Sequence, residues 1–178
     1  LLALIALVFT ALLPARFPTL GTLQSMAFQM PELGILALAM AVPLISGGLN
    51  LAIIATANLS ALVMAATVKA MLGADAGALW TAWTLLVTVG AGMTVCLVIG
   101  LLNGYVTAWL GVHPILVTLG TKTLVDGIAI WWTRGRVISG FPPEIIWLGN
   151  ATLGPVPVPL LIFAACAVLV AVLLTRTP

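Results

Sequence analysis

The sequence predicts an all-α protein, a polytopic bundle of transmembrane helices with about six crossings in its 178 residues. Hydrophobic residues make up 63% of the chain and charged residues only 6%, and the mean hydropathy is +1.30. A soluble domain carries about 25% charged residues. Apolar runs near the ~20 residues that a bilayer crossing requires recur along the chain. The net charge of +2 is too small to indicate a nucleic-acid partner.

Six apolar runs are interpreted as helices, the first of them incomplete. They cover residues 1–13, 23–45, 51–72, 79–110, 115–133 and 158–175. Glycine and proline mark most of the segments between them, and a long polar segment at 134–157 precedes the last run. We expect this segment to be a loop, and we expect no sheet.

Two of the junctions are predicted to be broken helices within the bundle. One lies at Gly47-Gly48 and the other at His113-Pro114. Pro114 lacks an N–H and disfavours helical geometry at the residue before it. The second run, which contains Pro31 and Pro43, is also expected to be kinked or broken. Breaks survive in a membrane only where protein or a watery cavity satisfies the freed backbone groups. They therefore indicate a candidate lining for a transport pathway.

Both ends of the sequence lie inside or beside apolar runs. Leu1 opens within one run, and Arg176 stands where the last run would leave the membrane. We expect the chain to be part of a longer polypeptide.

The sequence carries no pattern typical of an enzyme. It has no Cys/His cluster, no Ser-His-Asp set and no phosphate-binding Gly-Lys loop. We therefore expect no catalytic residue, no metal and no cofactor.

Lys122 and Asp126 bring charge into the fifth run, four residues apart and so on one helix face. A lone charge at membrane depth costs about 2.5–3.5 kcal/mol on insertion scales, so such residues pair or face water. A polar contact in the pathway and a structural ion pair both remain open.

Neutral polar residues in the apolar runs also allow two interpretations. His113 could relay protons near neutral pH or could be a hydrogen-bonded loop residue. Asn50 and Asn103 could hold a polar solute or bond one helix to another.

Three ordered motifs carry a resemblance to a known family. They are SGGLNLA at 46–52, GLLNGYVTAWLGVHPILVTLGT at 100–121 and GRVISGFPPEIIWLG at 135–149. Together they resemble the permease subunits of bacterial ATP-binding-cassette sugar importers of the ribose, xylose, galactose and autoinducer-2 type, and the resemblance extends over residues 34–178. The chain departs from that family at Asn50, where an aspartate is usual, at Lys122, where an apolar residue is common, and at His113, where a proline or small residue is common.

The resemblance implies a location and a set of partners. Residues 1–178 would be part of one transmembrane permease domain in the bacterial inner membrane, with the N-terminal end and the C-terminal portion missing. The permease would work with a second permease copy or homologue, with separate ATPase subunits and with a periplasmic sugar-binding protein. The 134–157 segment would face the periplasm, and Arg134, Arg136 and Glu144 are candidates for docking the binding protein.

The resemblance also directs attention to the pathway. A buried hydroxyl without a partner costs about 1–3 kcal/mol, so a sugar route needs neutral donors and acceptors. We expect this lining to come from the broken segments, and its candidates are Asn50, Asn103, His113, Thr118 and Thr121.

Other functions remain as alternatives. A related permease could carry branched-chain amino acids or nucleosides, and a proton-coupled secondary transporter could use Lys122, Asp126 and His113 as its relay. A membrane scaffold without transport activity is a further alternative.

Overall fold

The structure is a computed structural model that describes the backbone of residues 1–73, 77–139, 141, 143–153 and 156–176. Within this part, the side chains of residues 2, 78, 143–145 and 148 are outside the description. The chain divides into two compact units, one formed by residues 1–38 with 143–178 and the other by residues 39–142.

Helices account for most of the described chain, and one short hairpin accompanies them. In order, the elements are α1 (Leu2–Leu12), α2 (Leu20–Ile45), α3 (Ile53–Met71), α4 (Ala78–Trp109), α5 (Pro114–Thr133), α6 (Pro143–Asn150), β1 (Thr152–Leu153), β2 (Val156–Pro157) and α7 (Val158–Arg176).

Five of these helices, α2, α3, α4, α5 and α7, are long and apolar enough to cross a membrane. The apolar helix α1 is shorter than a crossing. None of the described residues of α7 is buried, and the helix is apolar along its length, as is typical of a membrane span. The predicted all-α transmembrane bundle is confirmed.

Helix α2 is not broken at its prolines, and the expected kink stays a prediction. It continues through Pro31 and Pro43 without interruption in its assignment. Membrane helices tolerate proline because neighbouring groups satisfy the freed backbone carbonyl. Pro43 also lies near the helix end, where its carbonyl accepts the N–H of Gly48 at 2.9 Å.

The segment between α5 and α7 is more ordered than the predicted loop. It contains α6 and an antiparallel pair in which Thr152 faces Pro157 and Leu153 faces Val156. The Val158 N–H donates to the Ala151 carbonyl at 2.9 Å and extends this pairing. The expectation of no sheet is therefore wrong by one two-residue ladder, which Gly and Pro composition does not predict.

In the 39–142 unit, α3 packs against both α4 and α5. Its buried core is formed by Ala55 of α3, Ile99 of α4 and Val125 of α5, with Leu59 and Val95 packed against them. These apolar contacts hold the three helices together.

The α3–α4 contact depends on one glycine. A Cβ built on Gly92 would lie 2.7 Å from Met64 Cγ and 2.8 Å from Ser60 Oγ. The Ser60 hydroxyl donates to the Gly92 carbonyl at 3.0 Å. Small residues that allow such close approach are typical of membrane helix interfaces. Gly90 in the same helix has no such role, since a Cβ there would meet nothing within 4 Å.

The other unit contains a comparable contact between α2 and α7. A Cβ on Gly34 would lie 2.5–2.9 Å from three ring atoms of Phe163. The phenyl ring therefore occupies the space that a side chain at position 34 would need.

We predict that Gly92→Ala destabilises the protein by about 1–3 kcal/mol, the usual cost of an overpacked interior. The added methyl must displace Met64 or break the bond between Ser60 and the Gly92 carbonyl. Denaturant titration in detergent micelles measures the loss, with Gly90→Ala in the same helix as the control. Equal stability of the two variants would contradict this interface.

Candidate functional site

The break after α2 is a glycine-terminated helix end. Gly47 adopts a left-handed φ of +80°. Its N–H donates to the Leu44 carbonyl at 3.1 Å, while the N–H of Gly48 donates to the Pro43 carbonyl at 2.9 Å. This pair of hydrogen bonds is the Schellman motif, which requires a residue that tolerates positive φ. The paired glycines therefore end α2 and satisfy two of its last carbonyls.

The break between α4 and α5 ends in a capped helix start. After Trp109 the chain passes through Gly111, whose φ is +67°, and reaches His113. His113 is the N-cap of α5, and its Nδ1 accepts the N–H of Ile115 at 3.4 Å. Pro114 occupies the first helical position, where its missing N–H costs nothing.

The two breaks meet in space. A Cβ on Gly48 would lie 3.5 Å from the Cβ of Pro114, so the two connections are in near contact. Beside them, a pocket of about 390 Å³ opens against α4. Its lining consists of Pro43, Ser46, Gly47, Gly48, Leu49, Asn50, Gly100, Asn103, Gly104, Thr107, Pro114 and Thr118. Within the described lining, every polar side chain is neutral.

Thr118 ties the first break to α5. Its hydroxyl accepts the N–H of Leu51 at 3.1 Å and lies 2.8 Å from the Pro114 carbonyl and 3.2 Å from the Leu49 carbonyl, either of which can take its proton. The residue is only 4% exposed. In this conformation the hydroxyl holds the connection, and the role of Thr118 in solute passage stays a prediction.

In the described part of the chain, the side-chain oxygen of Asn50 accepts a hydrogen bond and its side-chain nitrogen makes none. Its Oδ1 accepts the N–H of Ala52 at 3.0 Å, which orders the chain just before α3. Among the residues that the structure describes, its Nδ2 group has no hydrogen-bond partner, and Asn50 lines the pocket. The side chain thus combines a structural bond with a free donor.

Asn103 and Thr121 link α4 to α5. The Thr121 hydroxyl donates to Asn103 Oδ1 at 2.5 Å. This bond leaves the Nδ2 of Asn103 without a partner in the described part of the chain, beside the pocket that Asn103 lines. Three predicted pathway residues, Asn50, Asn103 and Thr118, therefore line one pocket, and the fourth, Thr121, bonds to Asn103.

The fifth pathway candidate and the charged pair lie apart from the lining. His113 is exposed and caps α5, and it does not line the pocket. Lys122 Nζ and Asp126 Oδ2 are 2.9 Å apart, with side chains 45% and 37% exposed. They pair with each other within α5, which lowers the cost of two charges at membrane depth.

The docking candidates separate into two described residues and one outside the description. Arg134 and Arg136 are exposed after the end of α5. The side chain of Glu144 in α6 lies outside the described residues.

Sequence reasoning missed the contribution of α4 to the pocket wall. Gly100, Gly104 and Thr107 line it together with Asn103. Their spacing of 0, 3, 4 and 7 places all four on one helix face, and this signal was readable. A Cβ built on Gly100 or Gly104 would meet nothing within 4 Å, so these glycines leave space for the pocket and do not contact a neighbouring helix there.

Metal chemistry has no support among the described residues, where no group of three His, Cys, Asp or Glu side chains could hold an ion.

We predict that Thr118→Val destabilises the protein by about 1–3 kcal/mol, because the partly buried N–H of Leu51 loses its acceptor. Valine keeps the shape of the side chain. Thr123→Val is the matched control, since the Thr123 hydroxyl is exposed and bonds only to the Leu119 carbonyl of its own helix. Denaturant titration in micelles compares the two, and equal losses would show that the Thr118 bonds contribute nothing specific.

Comparison with known proteins identifies the family. Residues 22–178 match the family described as "Branched-chain amino acid transport system / permease component". The chain is 30% identical over 138 residues to the autoinducer 2 import system permease protein LsrD of Klebsiella pneumoniae, covering 74% of this chain and 38% of that protein. It is 32% identical over 151 residues to the LsrD proteins of Yersinia pestis and Yersinia pseudotuberculosis, covering 82% of this chain and 42% of theirs.

The chain thus spans about two fifths of the length of these curated relatives. No solved structure matches it. The family match covers most of the chain, and the five apolar spans agree with it. The chain therefore belongs to the branched-chain amino acid transport system permease family and is a multi-pass protein of the bacterial inner membrane.

Proposed function

We propose that residues 1–178 are part of the permease domain of an ATP-binding-cassette importer that moves a neutral, hydroxyl-bearing solute such as a monosaccharide. The observation that carries this proposal is the pocket at the two helix breaks. It presents the amide groups of Asn50 and Asn103 and the hydroxyls of Ser46 and Thr107. Such groups can exchange hydrogen bonds with sugar hydroxyls, which otherwise lose their water partners at a cost.

The pocket suits passage better than tight binding. It is built from few polar groups, and its glycine-lined wall leaves room beside α4. In an importer fed by a binding protein, selectivity resides largely in that partner, and a deep site in the membrane would slow release. The pocket has few free hydrogen-bond donors, which supports weak binding and easy release of the solute.

The family description names branched-chain amino acids, but the lining favours a neutral solute. An amino acid carries a carboxylate and an ammonium group, and burying an unpaired charge is far more costly than burying a hydroxyl. The described lining of the pocket contains no charged side chain that could pair with either group. The names of the Klebsiella and Yersinia relatives, which refer to autoinducer 2 import, also support this choice.

Proton coupling finds less support. Lys122 and Asp126 bond to each other, and His113 serves as a helix cap outside the lining. A relay needs groups that exchange protons along the route, and these three do not form a chain beside the pocket. We therefore propose that energy comes from ATP hydrolysed by a separate subunit.

The remaining partners are part of the same proposal. Two permease copies or homologues would pair in the bilayer, two ATPase subunits would bind at the cytoplasmic side, and a periplasmic sugar-binding protein would dock outside. Arg134 is exposed at the end of α5 and is suited to charge complementarity with that protein. Arg136 and Glu144 remain candidates for the same contact.

We predict that Gly104→Leu reduces solute uptake at least about tenfold, because a leucine side chain of this size fills a polar route with apolar volume. Position 104 has open space around its Cβ direction, so the helix itself should tolerate the change. Uptake is measured in proteoliposomes that contain the assembled transporter, with ATP inside and binding protein outside.

Gly90→Leu is the matched control, since it lies in the same helix with equally open space and does not line the pocket. Its uptake should equal that of the unmodified protein. Undiminished uptake by Gly104→Leu would remove the pocket from the route. Uptake driven by a proton gradient without ATP would overturn the proposed importer.

A further inference from the structure

A second pocket lies on the far side of α3 from the α4 contact. Helix α5 ends at Thr133, and the backbone reverses through Arg134 and Gly135, whose φ angles are +52° and +68°. The following residues then return along α3. The result is a pocket of about 400 Å³ whose walls come from α3, from the end of α5 and from residues 135–138 and 141.

This pocket is amphipathic. Apolar walls are supplied by side chains that include Leu62, Ile130, Ile138 and Phe141. Its polar groups are the guanidinium of Arg136, the amide of Asn58 and the hydroxyl of Thr133. The Thr133 hydroxyl donates to the Ala129 carbonyl at 2.8 Å, so its proton is already used. Arg136 and Asn58 are the donors left for a ligand.

Arg136 and Lys122 are basic residues of the same unit, but among the described residues only Lys122 has an acidic partner. Lys122 has the Asp126 carboxylate at 2.9 Å. No acidic side chain in the described part of the chain pairs with Arg136. A guanidinium is planar and presents several N–H donors in a fork that matches the oxygens of a phosphate. Arg136 is exposed and has no carboxylate partner among the described residues, so its guanidinium is open to an anionic ligand.

The surroundings of the pocket indicate where that anion comes from. Helices α3 and α5 are both membrane spans. Trp131 and Trp132, in the last turn of α5, are 82% and 47% exposed, and exposed tryptophans at a span end are typical of the membrane–water interface. At this level the abundant molecules with a phosphate next to apolar chains are phospholipids.

We propose that this pocket binds an anionic phospholipid, with the headgroup phosphate on Arg136 and Asn58 and the adjoining acyl segment against Ile130 and Phe141. The apolar walls favour a lipid over a free inorganic anion, which would leave them in contact with water. This site does not depend on the identity of the transported solute, and it distinguishes Arg136 from Arg134, which does not line the pocket.

The test is native mass spectrometry of the purified protein with added phosphatidylglycerol or phosphatidylcholine. We expect the unmodified protein to retain phosphatidylglycerol in preference to phosphatidylcholine. Arg136→Ala should weaken phosphatidylglycerol binding about tenfold, the effect of losing a charge-assisted contact with phosphate. Arg136→Lys should recover part of the loss, because it restores charge without the fork.

Arg134→Ala is the matched control, since it removes the same charge two residues away and should leave lipid retention unchanged. Equal losses in the Arg134 and Arg136 variants would indicate diffuse surface charge and overturn the site. Full competition by inorganic phosphate at millimolar concentration would indicate a free-anion site and also overturn it. So would Arg136→Ala retaining lipid normally while losing stimulation by the binding protein, since the surface would then belong to that partner.

Discussion

The hydroxyl of Thr118 fastens an irregular stretch of backbone to a membrane helix, and much of the 39–142 unit depends on that attachment. The stretch between α2 and α3 has backbone groups that no helix satisfies. Thr118 accepts one of its N–H groups, from Leu51, and approaches the Leu49 carbonyl. Since α5 is itself packed on α3 through Val125 and Ala55, the attachment fixes the position of the connection relative to the core.

The need to satisfy backbone hydrogen-bonding groups explains why several capping residues lie close together at the helix breaks. In a bilayer an unsatisfied backbone group costs several kcal/mol, so a break must supply its own partners. Gly47 does this by closing the end of α2, Asn50 by accepting the N–H of Ala52, and His113 by capping α5. Once these groups are satisfied, the side-chain amides of Asn50 and Asn103 are left facing open space. A structural requirement and a polar pocket thus arise from the same residues.

A free amide has value for transport only if its neighbours leave room for a solute. Gly100 and Gly104 provide that room, because each removes a side chain from the face of α4 that carries Asn103. Gly92, two turns earlier, removes a side chain for the opposite purpose and admits Met64 and Ser60 of α3. One helix therefore uses glycine both to pack and to leave space, and only three-dimensional context separates the two uses.

Features of the fold that have a local cause were predictable from the sequence, and features that depend on tertiary contacts were not. The breaks at Gly47-Gly48 and His113-Pro114 were predictable, since positive φ and a missing N–H act on the backbone locally. The expected break within α2 does not occur, because whether proline breaks a membrane helix depends on what surrounds it. Helix α6 and the pairing of residues 152–153 with residues 156–157 were missed, because the Gly and Pro residues around them are also typical of a loop.

The site was predictable in part for the same reason. Asn50, Asn103, Thr118 and Thr121 stood out as polar residues in apolar runs, and the fold brings them together. The sequence could not separate Arg134 from Arg136, because only the backbone reversal after α5 directs one of them to a pocket.

The central claim is that a water-accessible polar pocket lies at the helix breaks, and thiol labelling tests it most directly. Asn103→Cys is introduced after Cys96 and Cys166 are replaced by serine, with Leu101→Cys as the control on the outer side of α4, where Leu101 is 63% exposed. Only the ionised thiol reacts, so a cysteine facing lipid reacts slowly. The account predicts that a water-soluble methanethiosulfonate reagent modifies Asn103→Cys much faster than Leu101→Cys and that solute slows the reaction. Equal or slower modification of Asn103→Cys would contradict it.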